Sequence, residues 1–363
     1  MKKFFALFLS FLLLVSLTAC GSAGEPSAKQ PEQAEPSAPA AQPADGVTYP
    51  LTLTDMAGRE VTVEREPQRI VSGYYISSSA CIALGLRERL VGVEDKAGQR
   101  PIYSLAAPEL MELPNVGSAK AFDLEACVAA EPDLVILPMK QKDTAAALEE
   151  LGIPALLVLP ESHQQVLEMF DLIGTAANAK AAAETLSGYY TGKLAAVEEL
   201  TAGLSDEERP VVYIGGTSSY LTTAPSGMYQ ASLITSAGGA NASADIDGNA
   251  WTEISYEQLL AMDPDVIVIP TNNFATAAPE YTAEDVLADP QLSEVSAVKN
   301  GAVYQMPTGF EAWDSPAPSG VLGALWMLKT LHPDLYGGDQ FAADVQDFYQ
   351  TFYGFAPSVE NLA

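Results

Sequence analysis

Residues 123–138 read DLEACVAAEPDLVILP, and residues 255–270 read SYEQLLAMDPDVIVIP, one pattern repeated 132 positions later. In each copy a glutamate, Glu125 or Glu257, stands six residues before the first residue of an acidic-Pro-Asp turn. A β-branched run follows and is closed by Pro138 or Pro270. Proline disfavours helical geometry in the residue before it, so each copy predicts a helix ending just upstream of Pro132 or Pro264. The runs at 135–137 and 266–269 are apolar without alternation, which is the pattern of strands buried on both faces of a parallel sheet. A helix-turn-strand unit that occurs twice predicts an α/β protein built as two equivalent lobes.

Outward from the repeat, the N-terminus carries Lys2 and Lys3 ahead of an apolar stretch over 4–19. That stretch is short of the roughly 18 or more apolar residues of a membrane span and reads as an export signal. Its end, Leu17-Thr18-Ala19-Cys20-Gly21, looks like the lipobox of bacterial lipoproteins. Cleavage would leave residues 1–19 as the signal and Cys20 as the lipidated residue. Residues 21–45 are almost wholly Ala, Pro, Ser, Glu, Gln and Gly, with no aromatic or large aliphatic side chain to bury. Residues 20–46 are therefore expected to be a disordered tether, spanning about 25–30 Å root-mean-square.

The formal charge is −29, with Lys and Arg thinly scattered, which argues against a nucleic-acid or anionic-membrane surface. Beyond Cys20 there are two cysteines, Cys81 and Cys127, both in apolar segments; they read as buried free thiols in preference to a disulfide. Residues 51–63 alternate around Ala57-Gly58-Arg59 and predict an opening hairpin. Strands are expected at 69–73, 90–93 and 155–159, with helices at 77–86 and 144–151, a βα alternation that implies a parallel sheet. The stretch 164–201 is rich in Ala, Leu, Glu and Lys with a break near 174–178, and 180–201 predicts a helix of six turns. A strand at 211–214, a Gly- and Ser-rich loop, the second copy, a strand at 302–305 and helices at 319–331 and 341–352 repeat the scheme. The expected division is an N-terminal lobe over 47–160, a connecting helical segment over 161–208 and a C-terminal lobe over 209–363.

The lipobox, the acidic tether, the DMAGREV hairpin, the paired glutamate segments and the long connecting helix together resemble the substrate-binding proteins of ABC importers for ferric siderophores, haem and cobalamin. The resemblance covers essentially the whole chain. It implies two Rossmann-like lobes with parallel-rich sheets joined by one long rigid helix, a ligand held between them, and one surface glutamate per lobe docking onto permease arginines. Those glutamates match Glu125 and Glu257. The residues agree: Leu124, Cys127 and Val128 form one apolar stripe, as do Tyr256, Leu259 and Leu260, so both glutamates should face outward. The implied partners are an ABC permease, its ATPase reached through the permease, and a membrane met through the lipid anchor on the extracytoplasmic face.

Sheets of this kind bind ligands beyond the carboxyl ends of their strands. In the N-terminal lobe that rule selects Tyr74, Tyr75, the loop 94–96 and Lys140; in the C-terminal lobe it selects Tyr220, Phe274, Phe310 and Trp313, and Trp251 lies just before the second copy of the repeat. Broad aromatic faces suit a flat or bulky ligand. Residues 310–313 read as too polar and too broken by proline to be core. With Lys96 and Lys140 the only cations close behind strand ends, a highly anionic catecholate chelate would lack its usual arginines. An iron chelate, a haem or a corrinoid is the expected cargo, and no resident cofactor or metal is expected. Zinc or manganese capture needs several His ligands, and only His163 and His332 exist, both read as surface residues. No nucleophile elbow or dinucleotide fingerprint is present, so an enzyme such as a two-lobed chelatase is the rival reading and not the favoured one.

Overall fold

The computed structural model describes residues 46–270, 280–307 and 311–358. The signal, the tether, Cys20, Phe274 and Phe310 lie outside the described residues. The chain opens with a hairpin, β1 (Leu51–Thr54) and β2 (Glu60–Val63), paired from Leu51↔Val63 to Thr54↔Glu60. Asp55 makes its turn. The carboxylate accepts the N–H groups of Ala57 and Arg59, both at 2.9 Å, and Gly58 takes φ +77°. It also accepts the Leu157 N–H at 3.1 Å and the Arg59 guanidinium at 2.7 Å, which fixes the hairpin to the sheet edge.

The N-terminal lobe continues through β3 (Ile70–Ser72), α1 (Tyr75–Ala83), β4 (Leu90–Val93), α2 (Pro101–Ala106), α3 (Leu124–Ala129), β5 (Leu134–Pro138), α4 (Lys142–Glu150) and β6 (Ala155–Val158). Its sheet has the order β4-β3-β5-β6, all parallel. Every residue of β3, β5 and β6 is buried, as the unalternating sequence predicts. The connection is two helices, α5 (His163–Ala176) and α6 (Lys180–Thr201), broken where Asn178 adopts φ +53°. The 22 residues of α6 extend about 33 Å and pack against α5 on one side.

The C-terminal lobe contains β7 (Val211–Ile214), β8 (Thr222–Thr223), α7 (Tyr229–Ser236), β9 (Ala240–Asn241), β10 (Thr252–Glu253), α8 (Tyr256–Met262), β11 (Val266–Ile269), α9 (Ala283–Ala288), α10 (Ser296–Lys299), β12 (Val303–Gln305), α11 (Gly320–Leu331) and α12 (Gly338–Tyr353). Its parallel sheet has the order β12-β11-β7-β9, while β8 and β10 form a small antiparallel pair. α11 packs on α6, α7 and α12. One apolar cluster runs from Val61 and Ile136 through Phe170 and Tyr190 to Val212, Trp313 and Phe348, so the lobes share their core around α6 and α11. Cys81 and Cys127 are buried free thiols. Among the described residues no helix is long and apolar enough to cross a membrane.

The repeat is structural in detail. Asp123 caps α3 by accepting the Ala126 N–H at 2.9 Å, and Ser255 caps α8 by accepting the Gln258 N–H at 3.3 Å. After each helix an acidic residue turns left-handed, Glu131 at φ +49° and Asp263 at φ +38°, directly before the proline. The Asp that follows pins the neighbouring strand: Asp133 accepts the Arg69 N–H and Asp265 the Val211 N–H, both at 2.8 Å. The acidic-Pro-Asp triplet thus stops a helix and starts two adjacent strands.

Candidate functional site

Tyr74 and Tyr75 leave β3 through Gly73. A Cβ at residue 73 would lie 2.7 Å from the Phe122 ring and 2.8 Å from Leu137, so glycine is required there. The two half-buried rings meet edge to face at 5.5 Å. The Tyr75 hydroxyl donates to Ser315 Oγ at 2.8 Å, across the lobes. The Arg100 guanidinium sits 4.3 Å from the centre of the Tyr75 ring. Burial pushes both hydroxyls up, Tyr75 to about 12 and Tyr74 well above its ordinary value, so both remain neutral hydrogen-bond groups.

Beneath these rings lies a buried charge cluster that the sequence did not disclose. Arg100 Nε is 3.2 Å from Glu94 Oε1, and Glu94 also accepts from Tyr103 at 2.7 Å and Ser78 at 2.6 Å. From the other lobe, Glu311 accepts from Ser79 at 3.1 Å and from Tyr349 at 3.2 Å. Burial raises the proton affinity of Glu94 and Glu311, and lifts Asp314 to about 6. Among the described residues, the buried ionisable groups of this cluster are three carboxyl groups and one guanidinium. Its sequence signal was weak, because Arg100 stands seven residues past the end of β4 and only the loop immediately behind that strand was considered.

A groove of about 470 Å³ is lined by Leu159 at the end of the N-terminal lobe, by Glu161 and Gln165 at the start of the connecting segment, and by Met228, Ser232 and Asn249 from the C-terminal lobe. Trp251, two residues beyond Asn249, is 37% exposed. Glu161 gains proton affinity from burial, opposed by Lys140, which is exposed at the rim.

The expectations for Trp313 and for the two histidines need correction. Trp313 is 1% exposed; its Nε1 donates to the Tyr349 hydroxyl at 2.8 Å and its ring meets Phe341 edge to face at 5.6 Å, so it is core and not cleft. Its polar neighbours are buried too, because each finds a partner. Tyr220 is half-buried, its hydroxyl donating to Asp289 at 2.6 Å and its ring meeting Tyr281 edge to face at 5.3 Å. The histidines are not surface residues. His332 is buried with Nε2 3.2 Å from the Gly238 carbonyl, and half-buried His163 pairs Nδ1 with the Tyr190 hydroxyl at 2.8 Å.

Tyr190 in turn bonds Tyr229 at 2.8 Å, so His163 begins a chain through α5, α6 and α7. Burial lowers its pKa from 6.5 to about 4. A depressed value means the unfolded chain binds the proton more tightly. The stabilisation from neutral His163 is thus complete above pH 6.5 and is lost as pH falls towards 4. In a proton NMR titration of the two histidines, one ring is expected to titrate near pH 4; two midpoints near 6.5 would contradict the buried arrangement.

Glu125 and Glu257 are both exposed, as expected. Among the described residues neither enters a salt bridge. Glu257 has its proton affinity lowered by hydrogen bonds from its own backbone N–H and from Ser255. Cys127 and Leu259, two positions on, are fully buried, but Val128 and Leu260 are 38% and 36% exposed, against the expectation that they complete a buried stripe.

The periplasmic binding protein family matches residues 70–308. The uncharacterized ABC transporter substrate-binding lipoprotein YvrC of Bacillus subtilis is 24% identical over 294 residues, covering 79% of this chain and 87% of that protein. The cobalamin-binding protein of Halobacterium salinarum is 28% identical over 234 residues, 63% of this chain and 61% of its own length. The structure of the Haemophilus influenzae molybdate-binding protein MolA bound to molybdate superposes with a TM-score of 0.74 at 21% identity, covering 85% of this chain and 99% of that one. With two parallel-sheet lobes, a cleft between them and a family match spanning most of the folded residues, the chain belongs to the periplasmic binding protein family of ABC importers.

Proposed function

We propose that this chain is a lipid-anchored extracytoplasmic binding protein that captures an uncharged or cationic iron chelate, of the ferric hydroxamate kind, between its lobes and delivers it unchanged to an ABC permease. The carrying observation is the charge cluster. Its one buried cation, Arg100, is paired with Glu94, and Glu311 and Asp314 add two further carboxylates. An oxyanion or a catecholate chelate needs buried donors left unpaired for it. The segments 271–279 and 308–310 contain no charged residue, so their sequence does not alter that balance. Lys140 at the rim suits steering and on-rate more than affinity.

A corrinoid is the second reading, supported by the half-buried faces of Tyr74 and Tyr75, exposed Trp251 and the cobalamin-binding relative. Calorimetric titration with ferrioxamine B, cyanocobalamin, haemin, a ferric catecholate and molybdate tests the choice. Ferrioxamine B or cyanocobalamin is expected to bind below about 10 μM, and Trp251→Ala to cost about 2 kcal/mol or more of that binding. Tightest binding by molybdate or the catecholate refutes the charge argument.

The anchor is proposed at Cys20, with the tether holding the lobes at an effective concentration in the millimolar range near the permease. Cys20→Ala should move the protein from the membrane fraction to the soluble one. Unchanged membrane retention would show that Cys20 is not the anchor.

A further inference from the structure

Each docking glutamate has an apolar neighbour that the fold leaves in water. Val128 follows Glu125 by three residues and Leu260 follows Glu257 by three, so each pair lies side by side on its helix surface. A single exposed apolar residue is ordinary. Two of them, 38% and 36% exposed at equivalent positions of a repeat, next to the exposed glutamate of each helix, form a duplicated surface of mixed character. The burial of Cys127 and Leu259 shows that α3 and α8 already seat a different face on their lobes.

Resting on the reading of Glu125 and Glu257 as docking residues, we propose that the permease footprint on each lobe is a two-part site, Glu125 with Val128 and Glu257 with Leu260. Its partner is a permease of two equivalent halves, each offering a cation beside an apolar socket. The duplication calls for a duplicated partner, and the glutamates, on a chain of net charge −29, call for a cationic one. Charge at an exposed pair mainly steers and orients, whereas an apolar group desolvated at the centre of a contact carries affinity. The carboxylate thus selects the docking pose and the apolar residue holds it.

The test uses the full chain and its own importer, permease with ATPase, in lipid nanodiscs, with binding read by interferometry at about 50 and 500 mM salt. Salt screens the charge and leaves the apolar contact. Val128→Thr with Leu260→Asn should weaken binding at least tenfold at both salts, at an unchanged melting temperature. The control pair Val128→Ile with Leu260→Met should bind like the parent. Glu125→Gln with Glu257→Gln should weaken binding mainly at low salt. Binding by the Thr/Asn pair within twofold of the parent, alongside loss in the Gln pair, overturns this proposal alone. Parent-like binding by the Gln pair overturns the docking reading itself. Equal binding to empty nanodiscs, or self-association abolished by the Thr/Asn pair, assigns the surface to lipid or to a second copy and also overturns it.

Discussion

Trp313→Ala is expected to destabilise the protein by about 3–5 kcal/mol, the usual cost of emptying a fully buried aromatic site. Two contacts are lost directly, and a third loses its support. The indole fills space against Phe341, its Nε1 holds the Tyr349 hydroxyl, and that hydroxyl donates to Glu311 in the charge cluster. A Cβ at Gly323 would also strike the Trp313 carbonyl, so the surrounding backbone has little room to shift and fill the cavity. Urea unfolding measures the loss. Unaltered stability combined with lost ligand affinity would return Trp313 to the cleft.

The second large effect is on transport. Glu125→Ala combined with Glu257→Ala should abolish uptake in cells lacking other importers for the same cargo, while melting temperature and ligand affinity stay unchanged. Both side chains are exposed and neither enters a salt bridge among the described residues, so their removal should cost the fold little. Without both carboxylates, by contrast, the docking pose is no longer selected and productive encounter with the permease fails. Full uptake by the double variant would remove both residues from the docking surface.

The contrast between these two sites explains what could be read from the sequence. The repeat was legible because its punctuation is local: a left-handed acidic residue, a proline and a strand-pinning aspartate are neighbours in the chain. α6 was legible because 22 residues give a composition signal long enough to average out exceptions. Trp313 was not, because Glu311, Asp314 and Ser315 look like surface residues until Ser79, Gln230 and Tyr75 arrive from distant segments to pair with that stretch. His163 was misread for the same reason, its partner Tyr190 lying 27 positions further on. For Val128 and Leu260 the cause is length. Helices of six and seven residues complete too few turns for periodicity to fix which of two adjacent apolar residues faces inward.

The central claim is that the cleft takes a metal chelate without surplus negative charge. Competition between ferrioxamine B or cyanocobalamin and molybdate, followed by calorimetry at one salt concentration, tests it most directly. The account predicts that one of the chelates binds one to one below about 10 μM and that a hundredfold excess of molybdate leaves the titration unchanged. Displacement of the chelate by molybdate, or molybdate binding tighter than either chelate, would contradict it.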